Sequence, residues 1–101
     1  MGFFDFLFGV RKRELQDFLD KGAVVLDVRT KREWDRGHIE NAKHIPLDTL
    51  QNHVKELKKL KKPIITCCAS GARSAKAAEF LKLHNIIATN GGSWLSLKNK
   101  L

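Results

Sequence analysis

Between positions 63 and 84 the hydrophobic period of the chain changes abruptly. Pro63-Ile64-Ile65-Thr66-Cys67 is a short apolar, β-branched run opened by proline, and Ala77, Phe80, Leu81 and Leu83 then recur at helical spacing. The segment therefore reads as a buried strand over residues 63–67 and a helix over residues 73–84. Only small residues, Cys68-Ala69-Ser70-Gly71-Ala72, separate the two. A strand that turns so tightly into a helix restricts the chain to layered α/β architectures. It also delivers Cys68 to the unpaired N–H groups of the helix start.

A thiol of ordinary pKa, about 8.5, is shifted downward by a helix N-terminus and a neighbouring cation, so Cys68 is expected to be largely thiolate near neutral pH. Gly71 and the small Ala69, Ser70 and Ala72 let successive N–H groups turn inward as an anion-holding nest. Arg73 can complete the cradle with its planar fork of donors, and Ser74 closes it. Cys67 belongs to the strand and is expected to point into the core as a small hydrophobe. Two registers remain open. Counted from Cys68, the arginine is the sixth residue of the loop; counted from Cys67, the pattern is Cys, five residues, Arg. The second is the phosphate-binding spacing of cysteine-dependent phosphatases and some arsenate reductases, whose larger loop encloses a tetrahedral oxyanion. The tighter loop has room for little more than a sulfur atom on the thiolate.

Strand-like and helix-like segments alternate along the rest of the chain. Helices are expected over residues 11–19, 31–36 and 48–60, the last with Leu50, Val54 and Leu57 inward. Strands are expected over residues 23–28, 43–45 and 86–89, with Gly91-Gly92 turning into a final helical stretch near Trp94. This order predicts an α/β fold, a central mostly parallel sheet with helices on both faces. At 101 residues and 43% hydrophobic, the sequence has apolar mass for one core, and a second catalytic domain within it is not expected.

Asp27 and Arg29 follow the first strand's apolar run, where α/β folds place functional loops. They are expected to form a structural ion pair with Glu33 that fixes the neighbouring loops. His38 follows a glycine turn without a partner at metal-ligand spacing, and reads as a hydrogen-bonded structural histidine; no metal or cofactor is expected. The net charge is +8. Lys55, Lys58, Lys59, Lys61 and Lys62 account for much of it at a helix end, where cations favour the dipole and stay solvated. Interleaved aromatics or a reading helix are missing, so nucleic acid is not an expected partner. The positive field instead concentrates anionic donors such as thiosulfate.

Val24-Val25-Leu26-Asp27-Val28-Arg29-Thr30, Glu33-Trp34, Gly37-His38-Ile39, Ala42, Ile45-Pro46, the run Cys68 to Ala78, and Gly91-Gly92 with Trp94 stand in an order that resembles the rhodanese homology domain. The resemblance runs from about Leu15 to Leu97 and implies a single-domain sulfurtransferase whose cysteine cycles between thiolate and persulfide. It places that cysteine at Cys68, with Ala69, Ser70, Gly71, Ala72, Arg73 and Ser74 as the substrate-binding loop. The implied donor is thiosulfate-like, and the acceptor is cyanide, a thiol or a protein. A sulfur carrier or protein-binding module without fast turnover is the alternative. Cys67, directly before the expected nucleophile, departs from the pattern.

Residues 1–10 also lie outside the resemblance, which divides the chain into an apolar N-terminal segment and a domain over residues 11–101. Phe3, Phe4, Phe6, Leu7 and Phe8 concentrate apolar area there, without the basic leader or cleavage site of a secretion signal. The expectation is a short helix folded onto the domain, a self-association contact or a weak membrane-surface foothold. No stretch approaches the roughly 20 apolar residues that span a bilayer. Two adjacent cysteines make a poor disulfide framework, which points to a reducing, cytoplasmic setting.

Overall fold

The structure, a computed structural model, describes residues 11–101. The phenylalanine-rich start lies outside the described residues. Strands β1 (Val24–Asp27), β2 (Lys43–His44), β3 (Ile64–Cys68) and β4 (Ala88–Ser93) form a four-stranded sheet in the order β2-β1-β3-β4. Every neighbouring pair is parallel. A parallel sheet needs cover on both faces, and the alternation of side chains along β3 shows how it is supplied. Ile64 and Cys68 face one apolar cluster, Ile65 and Cys67 the other.

Helix α1 (Lys12–Asp20) and helix α5 (Trp94–Lys98) cover the Ile65 face with Leu15 and Leu97. The opposite face is covered by α3 (Val54–Leu60), α4 (Ala72–Leu83) and the 3-10 helix over Leu47–His53, which contribute Leu57, Ala77, Ala78, Leu81 and Leu50. Leu26, Leu50, Leu57, Ile64, Leu81 and Leu97 are fully buried. Each such side chain stabilises the fold by about 1.5–3 kcal/mol relative to exposure. The expected α/β sheet with helices on both faces is the observed architecture.

Three local expectations differ from the structure. The helix expected over residues 48–60 begins as the 3-10 segment and becomes α-helical only from Val54. Pro46 supplies the acceptor for both the backbone N–H of Thr49 at 3.0 Å and its hydroxyl at 3.1 Å, and this tightens the first turns. Leu83, counted with Ala77, Phe80 and Leu81 in the helical period, is 82% exposed, and the buried face of α4 is made by Ala77, Ala78 and Leu81. The last strand lies over Ala88–Ser93 instead of residues 86–89, so Gly91 and Gly92 belong to β4. A Cβ on Gly91 would sit 2.8 Å from the Thr66 carbonyl oxygen and 2.7 Å from Ile65 Cγ2, so glycine lets β4 approach β3. The ladder then bulges: Thr66 faces Asn90, but Cys68 faces Ser93.

Helix α2 (Lys31–Asp35) is only five residues long and depends on its start. Thr30 Oγ1 accepts from the Glu33 N–H, and Glu33 Oε1 accepts from the Thr30 N–H, a reciprocal capping box. This box also aims the Glu33 carboxylate across the sheet end toward α4.

Candidate active site

Strand β3 ends at Cys68, and α4 begins at Ala72 after a left-handed Gly71 with φ +102°. That backbone conformation suits glycine. It turns the Gly71 N–H back to donate to Cys68 Sγ at 3.0 Å, while Ser74 approaches the same sulfur with its N–H at 3.4 Å and Oγ at 3.3 Å. Burial pushes the Cys68 thiol up, but the hydrogen bond that the Ser74 hydroxyl can turn to the sulfur, and those from the N–H groups of Ser74, Gly71 and Ser70, outweigh it and hold it below its ordinary value. Cys67 has the opposite environment. Burial, followed by the negative charge of Asp27, pushes its thiol up to about 12. It packs among Leu15, Ile39, Ile65 and Leu97 on the other face of the sheet, as expected for a core residue.

The loop residues separate into a rim and a floor. Ala69, Ser70 and Ala72 are exposed, whereas Gly71 and Ser74 are buried against the sulfur. Arg73 is half-buried and does not face an open cradle. Its Nη1 and Nη2 donate to Glu33 Oε1 and Oε2 at 2.7 and 2.8 Å, a two-pronged bridge between α4 and α2. The Arg73 hydrogen bonds hold the Glu33 carboxyl down at about 2.

The ion pair expected among Asp27, Arg29 and Glu33 is therefore rearranged. Asp27 and Arg29 do pair, buried, with Nη2 2.7 Å from Oδ2. Arg29 also donates to the backbone carbonyls of Glu33 and Gly37 at 3.3 and 2.7 Å, and its guanidinium lies 4.6 Å over the Trp94 ring. Glu33 meets Arg29 only through its carbonyl and gives its carboxylate to Arg73. His38 is exposed, donates from Nδ1 to the Trp34 carbonyl at 3.0 Å, and stacks on the Trp34 ring at 3.6 Å. His44 stacks on the same ring at 4.6 Å.

Asn90 is the site residue that sequence reasoning missed. Its Oδ1 accepts from Ser74 Oγ at 2.6 Å and from the Gly92 N–H at 2.9 Å, and its Nδ2 donates to the Gly71 carbonyl at 3.0 Å. The signal available was the Gly91-Gly92 pair next to it, which reads as a turn in the sequence and becomes a bulge that re-aims a side chain once the pair lies inside β4.

Fold and site together define an α/β domain that presents a cysteine from a parallel strand to the start of a helix. The chain belongs to the rhodanese-like domain family, whose model matches residues 12–98. A rhodanese-like domain protein from Staphylococcus aureus superposes with a TM-score of 0.73 at 33% identity, covering 90% of each chain. Reduced CoADR-RHD from Bacillus anthracis gives 0.73 at 27% identity over 94% of this chain and 17% of its own. Among curated proteins, tRNA uridine(34) hydroxylase of Salmonella newport is 36% identical over 86 residues, 80% of this chain and 24% of that protein. The chain thus spans about a quarter of the length of such relatives. Among the described residues, no helix is long and apolar enough to cross a membrane.

Proposed function

We propose that this domain is a sulfurtransferase of the thiosulfate sulfurtransferase type, with Cys68 as the carrier of a sulfane sulfur. The observation that carries the reading is the convergence of the Gly71 N–H, the Ser74 N–H and the Ser74 hydroxyl on Cys68 Sγ within 3.0–3.4 Å. The two N–H groups, and the hydroxyl when its hydrogen turns from Asn90 to the sulfur, stabilise negative charge on Sγ in a buried site. Cys67, with a thiol pushed up to about 12 on the far face of the sheet, is unsuited to act as a nucleophile. That contrast favours the tight loop counted from Cys68 over the phosphatase or arsenate reductase register.

In the first half-reaction the Cys68 thiolate attacks the outer sulfur of a thiosulfate-like donor. The donor's sulfur–sulfur bond breaks, sulfite leaves with the electron pair, and Cys68 holds a persulfide. In the second, cyanide or a thiolate attacks the outer sulfur. The bond to Sγ breaks, and its electron pair restores the Cys68 thiolate. Ala69, Ser70 and Ala72 form the rim that the donor meets. Because Glu33 engages the Arg73 fork, Arg73 serves here to fix the loop more than to bind the donor's oxygens.

The curated relatives are named for hydroxylating tRNA uridine 34, and this chain matches only a quarter of such a protein; what we carry over is the cysteine loop, not the substrate. Two free, buried cysteines fit a reducing, cytoplasmic setting. The test is cyanide-dependent thiocyanate release from thiosulfate, followed through many turnovers per chain. Cys68→Ser is expected to abolish it and Cys67→Ser to keep most of it. A single stoichiometric release would identify a sulfur carrier instead, and the reverse ranking of the two serine variants would move the nucleophile to Cys67.

A further inference from the structure

The transfer chemistry leaves the Asn90 side chain unused, although it touches both halves of the Cys68 loop. The bulge that sets Thr66 opposite Asn90 and Cys68 opposite Ser93 places one extra residue on β4, and this aims the amide at the loop. Its orientation is fixed by two backbone partners. The Gly71 carbonyl can only accept and the Gly92 N–H can only donate, so Nδ2 faces the first at 3.0 Å and Oδ1 the second at 2.9 Å. Ser74 Oγ, 2.6 Å from that Oδ1, must then give its single hydrogen to Asn90. The same Oγ lies 3.3 Å from Cys68 Sγ. A neutral thiol satisfies this contact by donating its S–H to the Ser74 oxygen. A thiolate has no hydrogen to give, and gains one from Ser74 only when the hydroxyl turns away from Asn90.

The geometry points to Asn90 as a positioning residue that sets the balance between charged and uncharged Cys68 Sγ by competing with the sulfur for the Ser74 hydroxyl hydrogen. This rests on the reading of Cys68 as the sulfur carrier. In the persulfide the negative charge sits on the outer sulfur and Sγ is a weak acceptor, so the Ser74 hydrogen returns to Asn90. When the outer sulfur leaves, the hydrogen swings to the restored thiolate. Asn90 thereby lowers the free energy of the loaded state relative to the empty thiolate. Other charged or titratable groups near this loop are the Glu33–Arg73 bridge from α2 and α4, the Asp27–Arg29 pair at the end of β1, Cys67 of β3, and His44 of β2, which lies opposite Asp27. Strand β4 carries no titratable side chain.

The ultraviolet absorbance of the thiolate reads this directly on the full chain between about pH 5 and pH 10. There is no tyrosine to interfere, and Cys67, pushed up to about 12, stays protonated. Asn90→Leu removes the competing acceptor and is expected to lower the Cys68 midpoint by about half to one pH unit. Ser74→Ala is expected to raise the midpoint, and Asn90→Leu added to it to shift nothing further. Asn90→Ala repeats the cycle without a bulky group, should leucine prevent folding. A midpoint that does not fall in the Asn90 variants, or that falls equally with and without Ser74, would overturn the proposal; the second result would mean that Asn90 acts only through the Gly71 carbonyl. The titration needs no sulfur donor, so its outcome stays readable whether or not the chain turns over thiosulfate.

Discussion

Gly91→Ala is expected to be among the most damaging single-methyl changes in the domain. The added Cβ would stand 2.7 Å from Ile65 Cγ2, 2.8 Å from the Thr66 carbonyl oxygen and 3.0 Å from Leu97 Cδ2. Leu97 can rotate away, but Thr66 is backbone in β3, paired to Leu26 of β1 and Asn90 of β4, and cannot yield without moving the sheet. Overpacking of a well-packed core costs about 1–3 kcal/mol, and a rigid carbonyl as the opposing atom puts this site at the upper end. At about 2.1 cal/mol/K of unfolding entropy per residue, a domain of about this size loses roughly 5 °C of Tm per kcal/mol. Gly91→Ala should therefore melt roughly 15 °C below the parent in a thermal scan followed by circular dichroism. Gly22 is the control: its φ is +78° but nothing lies within 4 Å of the position its Cβ would take, so Gly22→Ala pays only backbone strain, about 1 kcal/mol. A fall of under about 3 °C for Gly91→Ala, or a larger fall for Gly22→Ala, would refute the close approach of β4 to β3.

The Cys67 thiol is raised from 9.0 to about 12 in the fold, so its contribution to stability is fully present below pH 9 and is lost as pH rises from there toward 12. Denaturant midpoints measured through that range should fall for the parent and fall less for Cys67→Ala. The Glu33 carboxyl is lowered from 4.5 to about 2, and the sign reverses: its stabilisation is present above pH 4.5 and lost as pH drops toward 2. With the bridge a third exposed, screening leaves about 1 kcal/mol, and Glu33→Gln should remove that much acid dependence from the unfolding free energy. Deleting residues 1–9 is expected to keep thiocyanate release while changing solubility, self-association or melting temperature, and loss of turnover in a folded truncation would show that the segment builds the site.

Where the hydrophobic period was strong, the sequence was enough to place the elements. The run Ile64-Ile65-Thr66-Cys67 and the alanine-lined face of α4 announced strand, loop and helix, and with them the exposure of Cys68 to a helix start. What stayed hidden depends on contacts between segments far apart in the chain. Arg73 looked free because its partner, Glu33, is 40 residues away and is aimed at it by a capping box whose direction is set only in three dimensions. Asn90 was passed over because Gly91-Gly92 read as a turn. Its place opposite Thr66 follows from two glycines that permit a close strand and a bulge, a packing fact without a local pattern. The 3-10 start at Leu47 was likewise decided by the Pro46 carbonyl and the Thr49 hydroxyl, against a periodicity that reads as α-helix.

The central claim is that sulfur is carried on Cys68, and intact mass spectrometry of the non-reduced chain after incubation with thiosulfate tests it most directly. The account predicts a gain of one sulfur atom in the parent and in Cys67→Ser, reversed by cyanide, and no gain in Cys68→Ser. A one-sulfur adduct that survives in Cys68→Ser and vanishes in Cys67→Ser, or a parent chain that never gains sulfur, would contradict it.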